Sequence, residues 1–290
     1  MEKIKYIGFY DIELFDNEKR VRSIAAVNKM NYIAGALVDS GYIVEIVSPS
    51  WSSTKTGYFR SRTCKVFENV VLKVGPTFGA ENLILKRFRI FLSWLWLFSY
   101  LLINAKKKEK VIVYHSIMAI YPIYLAKKIK KFEVILELNE IYQDVSELSH
   151  HYKNIENKII QVSSAYIIST EMLKSKIDDN KPFLINYGNY RPEGNRYSPY
   201  NDKIHIVYAG IIDLHKAGAF NAIESARHLS KDYIIHIIGF GNLKNINELK
   251  EKIAISNQIH ECKVIFDGIK NGDEYVDYVS KCHIGLSTQA

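Results

Sequence analysis

The chain is poor in the residues that build disulfide scaffolds and low-complexity proteins. Its 290 residues include three cysteines, Cys64, Cys262 and Cys282, with no C-x-x-C pair among them. An odd, scattered set excludes a disulfide framework or a structural zinc site as the organising device. Six prolines and 15 glycines exclude collagen-like and repetitive architectures. The longest predominantly apolar run, 90–103, has 14 residues, whereas a bilayer-spanning helix needs about 20. Met1 leads into Glu2, Lys3 and Lys5 and then a short strand-like run, which does not read as a secretion signal. No Asp-x-Asp and no His/carboxylate cluster with ligand spacing stands out, so no metal is expected. These shortages predict a reduced, cytoplasmic chain.

What is present is globular. Hydrophobic residues make up 48% and charged ones 24%, and the length suits two domains. The net charge of +8 is uneven. Residues 1–195 hold 28 Lys and Arg against 20 Asp and Glu, while residues 196–290 hold 11 of each. The excess in the first part predicts an anionic surface or ligand there, or else solvated lysine faces. No nucleic-acid-binding motif accompanies the charge, so nucleic acid is not an expected partner.

Short β-branched and aromatic runs alternate with stretches of helical period. Strands are predicted at 3–9, 43–47, 70–74, 111–114, 134–138, 165–169 and 183–186, with helices at 22–39, 81–104, 117–129, 152–162 and 171–177 between them. Residues 187–202, with Gly188, Pro192, Gly194 and Pro199, read as a linker. A second series follows, with strands at 204–209, 233–239, 264–266 and 283–286 and helices at 217–229, 243–256 and 272–281. The expected fold is α/β: two Rossmann-like domains, 1–186 and 203–290, each a parallel sheet with helices on both faces. The second series stops directly after a strand, so its domain is expected to be incomplete.

Several segments carry a resemblance. Residues 206–218, IVYAGIIDLHKAG, run from a strand through Gly210 to Lys216 and Gly218. Such a turn aims backbone N–H groups at an anion, and a lysine adds a compact positive charge. Residues 234–242, IIHIIGFGN, close a strand on Gly239 and Gly241, which either form a tight turn or let a ligand approach the backbone. Residues 111–116, VIVYHS, place His115 at a strand end, and 136–144, LELNEIYQD, bring Glu137, Glu140 and Asp144. Together these resemble the retaining glycosyltransferases of family four, of the kind that assembles bacterial surface polysaccharide, with the GT-B fold. Family members carry an Arg just after the first donor-domain glycine, where this chain has Ile211-Ile212, and a Gly-Gly pair in the first loop that is absent here.

The resemblance implies transfer of a hexosyl-type unit from a nucleoside-diphosphate sugar to a hydroxyl of a saccharide, or lipid-linked saccharide, with retention and without a metal or other cofactor. It implies a donor diphosphate held by Gly210, Lys216, Gly218, Gly239 and Gly241, His115 and Glu140 at the reacting groups, and Arg20 and Arg22 as anion contacts on the acceptor side. The family's Glu-x7-Glu signature is expected beyond residue 290, so a complementing subunit, or a non-catalytic role for the chain, is the alternative. Another two-Rossmann enzyme, such as a nucleotide-sugar epimerase, is a third reading.

The helix at 81–104 has Lys86, Arg87 and Arg89 at one end, Trp94 and Trp96 further on, and Lys106, Lys107 and Lys108 after it. Aromatic and apolar residues flanked by basic ones suit the surface of an anionic membrane, and peripheral attachment at its inner face is expected. The competing reading is an apolar core helix with basic caps.

Overall fold

The computed structural model describes residues 2–188, 199–214 and 217–288. The chain divides into two compact units, Met1–Arg191 and Pro192–Ala290.

The first unit runs β1 (Lys3–Ile7), α1 (Ile24–Asp39), β2 (Ile43–Ser48), β3 (Tyr58–Phe59), β4 (Arg62–Phe67), β5 (Val70–Val74), β6 (Thr77–Phe78), α2 (Leu83–Asn104), β7 (Lys110–Tyr114), α3 (Ile120–Lys130), β8 (Glu133–Leu138), α4 (Tyr142–Val145), α5 (His150–Val162), β9 (Ala165–Ile168) and β10 (Phe183–Ile185). The expected helix at 171–177 is a 3-10 turn over Glu171–Lys176. Eight strands form one sheet in the order β10-β9-β8-β7-β1-β2-β5-β4. All pairs are parallel except β4, which returns antiparallel along β5. Reading the sheet as wholly parallel therefore misses its edge strand. Arg62 and Lys65 interrupt that segment, and its exposed or half-buried side chains leave a weak alternation. The buried strands are the apolar runs: β1 packs Ile4 and Tyr6 with Met30 and Ile33 from α1 and Ile7 with Leu97 and Leu101 from α2, whereas β5 buries one face, Val70, Leu72 and Val74, on the α1 side.

Local chemistry sets the helix ends. Ser23 accepts the Ala26 N–H at the start of α1, and Asn82 accepts the Leu85 N–H at 2.9 Å at the start of α2. Helix α1 stops at Ser40, and Gly41 supplies the positive φ of 90° that turns the chain into β2.

The second unit runs β11 (Ile204–Ile212), α6 (Gly218–Ser225), β12 (Tyr233–Gly241), α7 (Leu243–Ile259), β13 (Lys263–Gly268), α8 (Gly272–Ser280) and β14 (Ile284–Leu286). Its four strands are parallel, in the order β13-β12-β11-β14. Helices α6 and α7 cover one face around Tyr208, Ile235 and Ile237, and α8 covers the other around Val207, Ile238 and Cys282. The predicted linker at 187–202 lies mostly outside the described residues, as does Lys216.

Candidate functional site

Strand order locates a crevice in each unit. In the first, β1 pairs with β2 on one side and β7 on the other, so chain progression reverses direction there. In the second, β11 lies between β12 and β14 in the same way. Open parallel sheets bind ligands outside the carboxyl ends of strands at such switch points.

At the first switch point, β1 ends beside Gly8. A Cβ there would sit 2.7 Å from Met30 Sδ and 3.0 Å from Tyr114 Cβ, so glycine is needed for helix α1 to close on the sheet. Beyond it lies an open depression of about 280 Å³ lined by Asp11, Lys19, Arg20, Arg22 and Ser53. Two of the expected residues, Arg20 and Arg22, thus meet at one site, but they do different work. Arg20 is buried and its guanidinium is spent internally: on Glu18 at 2.6 Å, Ser50 Oγ at 2.5 Å, the Gly75 carbonyl at 2.8 Å and the Arg60 carbonyl at 3.3 Å. The expectation that Arg20 contacts a ligand anion is corrected accordingly: it ties the loop after β1 to the strip 50–52. Lys19, exposed, and Arg22, half-buried, give the depression its cationic side.

His115 follows β7, as expected, yet it does not present its ring to solvent. It is 2% exposed. Its Nδ1 lies 3.2 Å from the Glu140 carbonyl, to which it must donate, and its Nε2 lies 3.3 Å from Glu156 Oε1. Burial drives its pKa down to about 4, and burial also raises the Glu156 carboxyl. Glu156 in turn accepts the N–H groups of Tyr142 and Gln143, at 2.8 and 3.1 Å, where α4 begins. His115 is therefore a positioning residue that holds the 139–143 loop, and Glu140 is the exposed carboxylate which that loop carries.

Beneath this loop is a buried polar set around Glu137, one of the expected acidic residues, whose partners Tyr6, Lys29 and Asn139 are not among the expected residues. Lys29 of α1 donates to Asn139 Oδ1 and lies 3.3 Å from Glu137 Oε1, and Tyr6 donates to Glu137 Oε2. Glu137 is fully buried; burial raises its carboxyl pKa, against the pull of its bonds to Tyr6 and Lys29. The signals were a lysine in the apolar stripe of α1 and a glutamate inside the buried strand VILEL. Asp144 instead pairs with Lys176 at 2.6 Å on the surface.

At the second switch point, Gly210 pairs with Gly239 across β11 and β12. Gly239 has φ of 152°, and a Cβ on it would fall 1.8 Å from the Gly210 carbonyl oxygen; one on Gly241 would fall 2.4 Å from the Ile212 carbonyl oxygen. These glycines are required by the neighbouring strand, which continues three residues past the expected end at Ala209, so the Gly-x-Gly needs no ligand to explain it. Gly210 and Gly218 both abut the Tyr208 hydroxyl. Helix α6 starts at Gly218 after Ala217, whose φ is 51°. Thr288, two residues past β14, donates to the Gly218 carbonyl at 2.7 Å, and Asn221 donates to the Thr288 carbonyl at 2.9 Å. Asn242 caps α7 by accepting the Asn245 N–H at 2.8 Å. The carboxyl edge of this sheet thus gathers Gly210 and the N-termini of α6 and α7, each with the partial positive charge of unpaired N–H groups.

The membrane residues also separate. Lys86 and Arg87 are exposed, as are Lys106, Lys107 and Lys108. Arg89 is buried and donates to the Ser52 and Phe78 carbonyls. Trp94 donates its indole N–H to the Met118 carbonyl at 2.5 Å, and Trp96 packs on Gly75 and stacks with Tyr100 at 5.6 Å. Arg89 is thus spent on the protein interior, which corrects its assignment to a membrane, while Trp94 and Trp96 stay half-buried, each with one edge packed on the protein. No helix among the described residues is long and apolar enough to cross a bilayer, and among those residues no group of His, Cys, Asp and Glu is arranged to hold a metal ion.

Two Rossmann-like units with parallel sheets and covering helices define the GT-B architecture of glycosyltransferases. Solved structures bear this out along nearly the whole chain. Sucrose-phosphate synthase from Thermosynechococcus elongatus is 13% identical, with 98% of this chain aligned to 75% of that one and a TM-score of 0.64. An E. coli trehalose-6-phosphate structure bound with UDP-2-fluoro glucose aligns with 99% of this chain and 78% of its own, at 8% identity and a TM-score of 0.69. Anabaena HepE in complex with UDP and glucose aligns with 98% of this chain and 73% of its own, at 11% identity and a TM-score of 0.60. No protein-family model and no curated protein sequence matches the chain.

Proposed function

We propose that the chain is a retaining glycosyltransferase of the family-four kind. It moves a hexosyl unit from a nucleoside-diphosphate sugar to a hydroxyl of a saccharide or lipid-linked saccharide, at the cytoplasmic side of the cell membrane, during surface-polysaccharide assembly. The observation that carries this reading is the second switch point, where Gly210 and two helix N-termini converge on a sheet edge within a GT-B chain. Such an edge suits a diphosphate, because oriented N–H dipoles stabilise the charge that grows on the leaving group.

In this proposal Lys216 and the α6 N-terminus hold the diphosphate, and no metal or other cofactor is called on. The bond from the sugar C1 to the diphosphate oxygen breaks, and a bond from C1 to the acceptor oxygen forms on the same face. The acceptor proton passes to the departing diphosphate. Glu140 orients the acceptor hydroxyl, His115 fixes the loop bearing Glu140, and Lys19 and Arg22 attract an anionic group of the acceptor.

Calorimetry with UDP, GDP and their sugars tests the reading. Binding is expected, and Lys216→Ala should weaken it roughly tenfold. Absence of binding by every nucleotide would favour a non-catalytic or partner-dependent subunit. Unchanged affinity in Lys216→Ala would remove the diphosphate clamp.

A further inference from the structure

Helix α2 is two-sided in an unusual way. Arg89, Ser93, Leu97 and Leu101 point inward. The opposite face of its first three turns presents Ile84 (79% exposed), Phe88 (51%), Phe91 (55%) and Leu95 (48%) to solvent, with Leu92 beside them. The spacing of four, three and four residues puts them in one stripe about 16 Å long. A contiguous apolar stripe of this size on a folded surface marks a contact, since singly scattered apolar residues would not align. The stripe continues onto the neighbouring two-stranded sheet of β3 and β6. Phe78 of β6 touches Phe88, with ring centroids 6.3 Å apart, and its strand partner Tyr58 is 68% exposed.

Charge identifies what the stripe meets. Helix α2 carries no acidic residue. Between residues 53 and 104 the chain holds eight Lys and Arg against Glu68 and Glu81. Arg87 is exposed at the flank of the stripe, and Lys55 and Arg60 are exposed on the segments that border β3. An aromatic and aliphatic stripe rimmed by exposed basic residues complements an anionic lipid surface, where the apolar side chains enter the acyl boundary and the cations meet headgroups.

We infer that the Ile84–Leu95 face of α2 inserts into the interfacial layer of an anionic phospholipid bilayer, with Arg87, Lys55 and Arg60 against the headgroups. The inserted residues are thus not the tryptophans. The inward side of the same helix reaches the rim of the acceptor-side depression: Arg89 donates to the Ser52 carbonyl, and Ser53 lines that depression. Docking would bring phosphate-bearing headgroups close to Lys19 and Arg22. This last link rests on the proposed function, but the docking itself does not.

Sedimentation of the full chain with vesicles tests it. Vesicles of equal parts phosphatidylglycerol and phosphatidylcholine are compared with phosphatidylcholine alone. The chain is expected to sediment with the anionic vesicles only. Phe88→Ser with Phe91→Ser should weaken that binding more than tenfold, and Arg87→Glu with Lys55→Glu should weaken it roughly tenfold. Met172→Ser, at an exposed apolar position elsewhere in the first unit, should bind as the parent does. All these positions are exposed, and circular dichroism confirms that each variant is folded. A parent chain that stays in the supernatant with both vesicles overturns the inference, as does a Phe88/Phe91 variant that sediments like the parent. So would a dimer, found by analytical ultracentrifugation without vesicle binding and dissociated by the same two substitutions, because the face would then belong to a second copy. Nucleotide binding measured without lipid separates failure of the docking from failure of the proposed chemistry.

Discussion

His205 Nδ1 lies 2.8 Å from His236 Nε2 in the second unit, and the outer nitrogen of each ring faces an aspartate, Asp202 and Asp267, each at 3.0 Å. Tyr278 donates to Asp267 at 2.6 Å, and Tyr200 stacks on His205 with centroids 4.1 Å apart. This polar chain crosses β11, β12 and β13 on the face covered by α8. It staples three strands through side chains in addition to their backbone ladders.

Burial alone would raise Asp267, but hydrogen bonds from His236 and Tyr278 hold its carboxyl below the usual range. A carboxylate with a folded pKa below its unfolded one contributes stability that is full above the ordinary carboxylate pKa and is lost as pH falls through the folded value. The second unit should therefore lose stability below about pH 4. Asp267→Asn should flatten that acid limb, and amide hydrogen exchange in β12 from neutral to acid pH measures it.

Gly239→Ala should cost the second unit about 3 kcal/mol or more, because its Cβ would meet the Gly210 carbonyl at 1.8 Å in a backbone region unfavourable to alanine. Gly285→Ala, with nothing within 4 Å of its Cβ, should be close to neutral. Thermal melts of the two variants by far-ultraviolet circular dichroism provide the comparison.

Lys29→Met removes the cation from fully buried Glu137, and about 3 kcal/mol of first-unit stability should go with it. Adding Glu137→Leu should restore most of the loss, since two apolar groups replace an uncompensated pair. Trp51, Trp94 and Trp96 all lie in the first unit, so tryptophan fluorescence in urea follows that unit specifically.

Burial, reinforced by Asp267, pushes the Cys282 thiol up to about 11. At neutral pH it is almost wholly the unreactive thiol. Labelling of Cys282 in the native chain should be slow near pH 7 and faster as pH approaches 10, and immediate in denaturant. Mass spectrometry of the labelled peptides distinguishes it from Cys64, which is half-buried.

Much of the fold was legible in particular segments. Val70–Val74 is a strand at both ends as expected, because it is an apolar run closed by Gly75-Pro76. The starts of α1 and α2 lay within two residues of their positions, at Ser23 and Asn82, since capping side chains act locally. Strand β11 runs past its expected end at Ala209: Gly210 has the character of a terminator, but pairing with β12 carries the strand on to Ile212. The site was less legible. Arg22 and Glu140 are where a ligand can meet them, but Arg20, Arg89 and His115 carry the same chemistry and spend it inside the protein.

By itself, the sequence determined that two series of alternating strands and helices would form parallel sheets covered on both faces. Continuous apolar strands between amphipathic helices have no other way to leave water. Only the tertiary structure decided which polar groups are partners. Tyr6 and Glu137 stand 131 residues apart along the chain, and Lys29 and Asn139 stand 110 apart. A buried charge must be matched by whatever the fold brings beside it, and residue spacing carries no record of that neighbour.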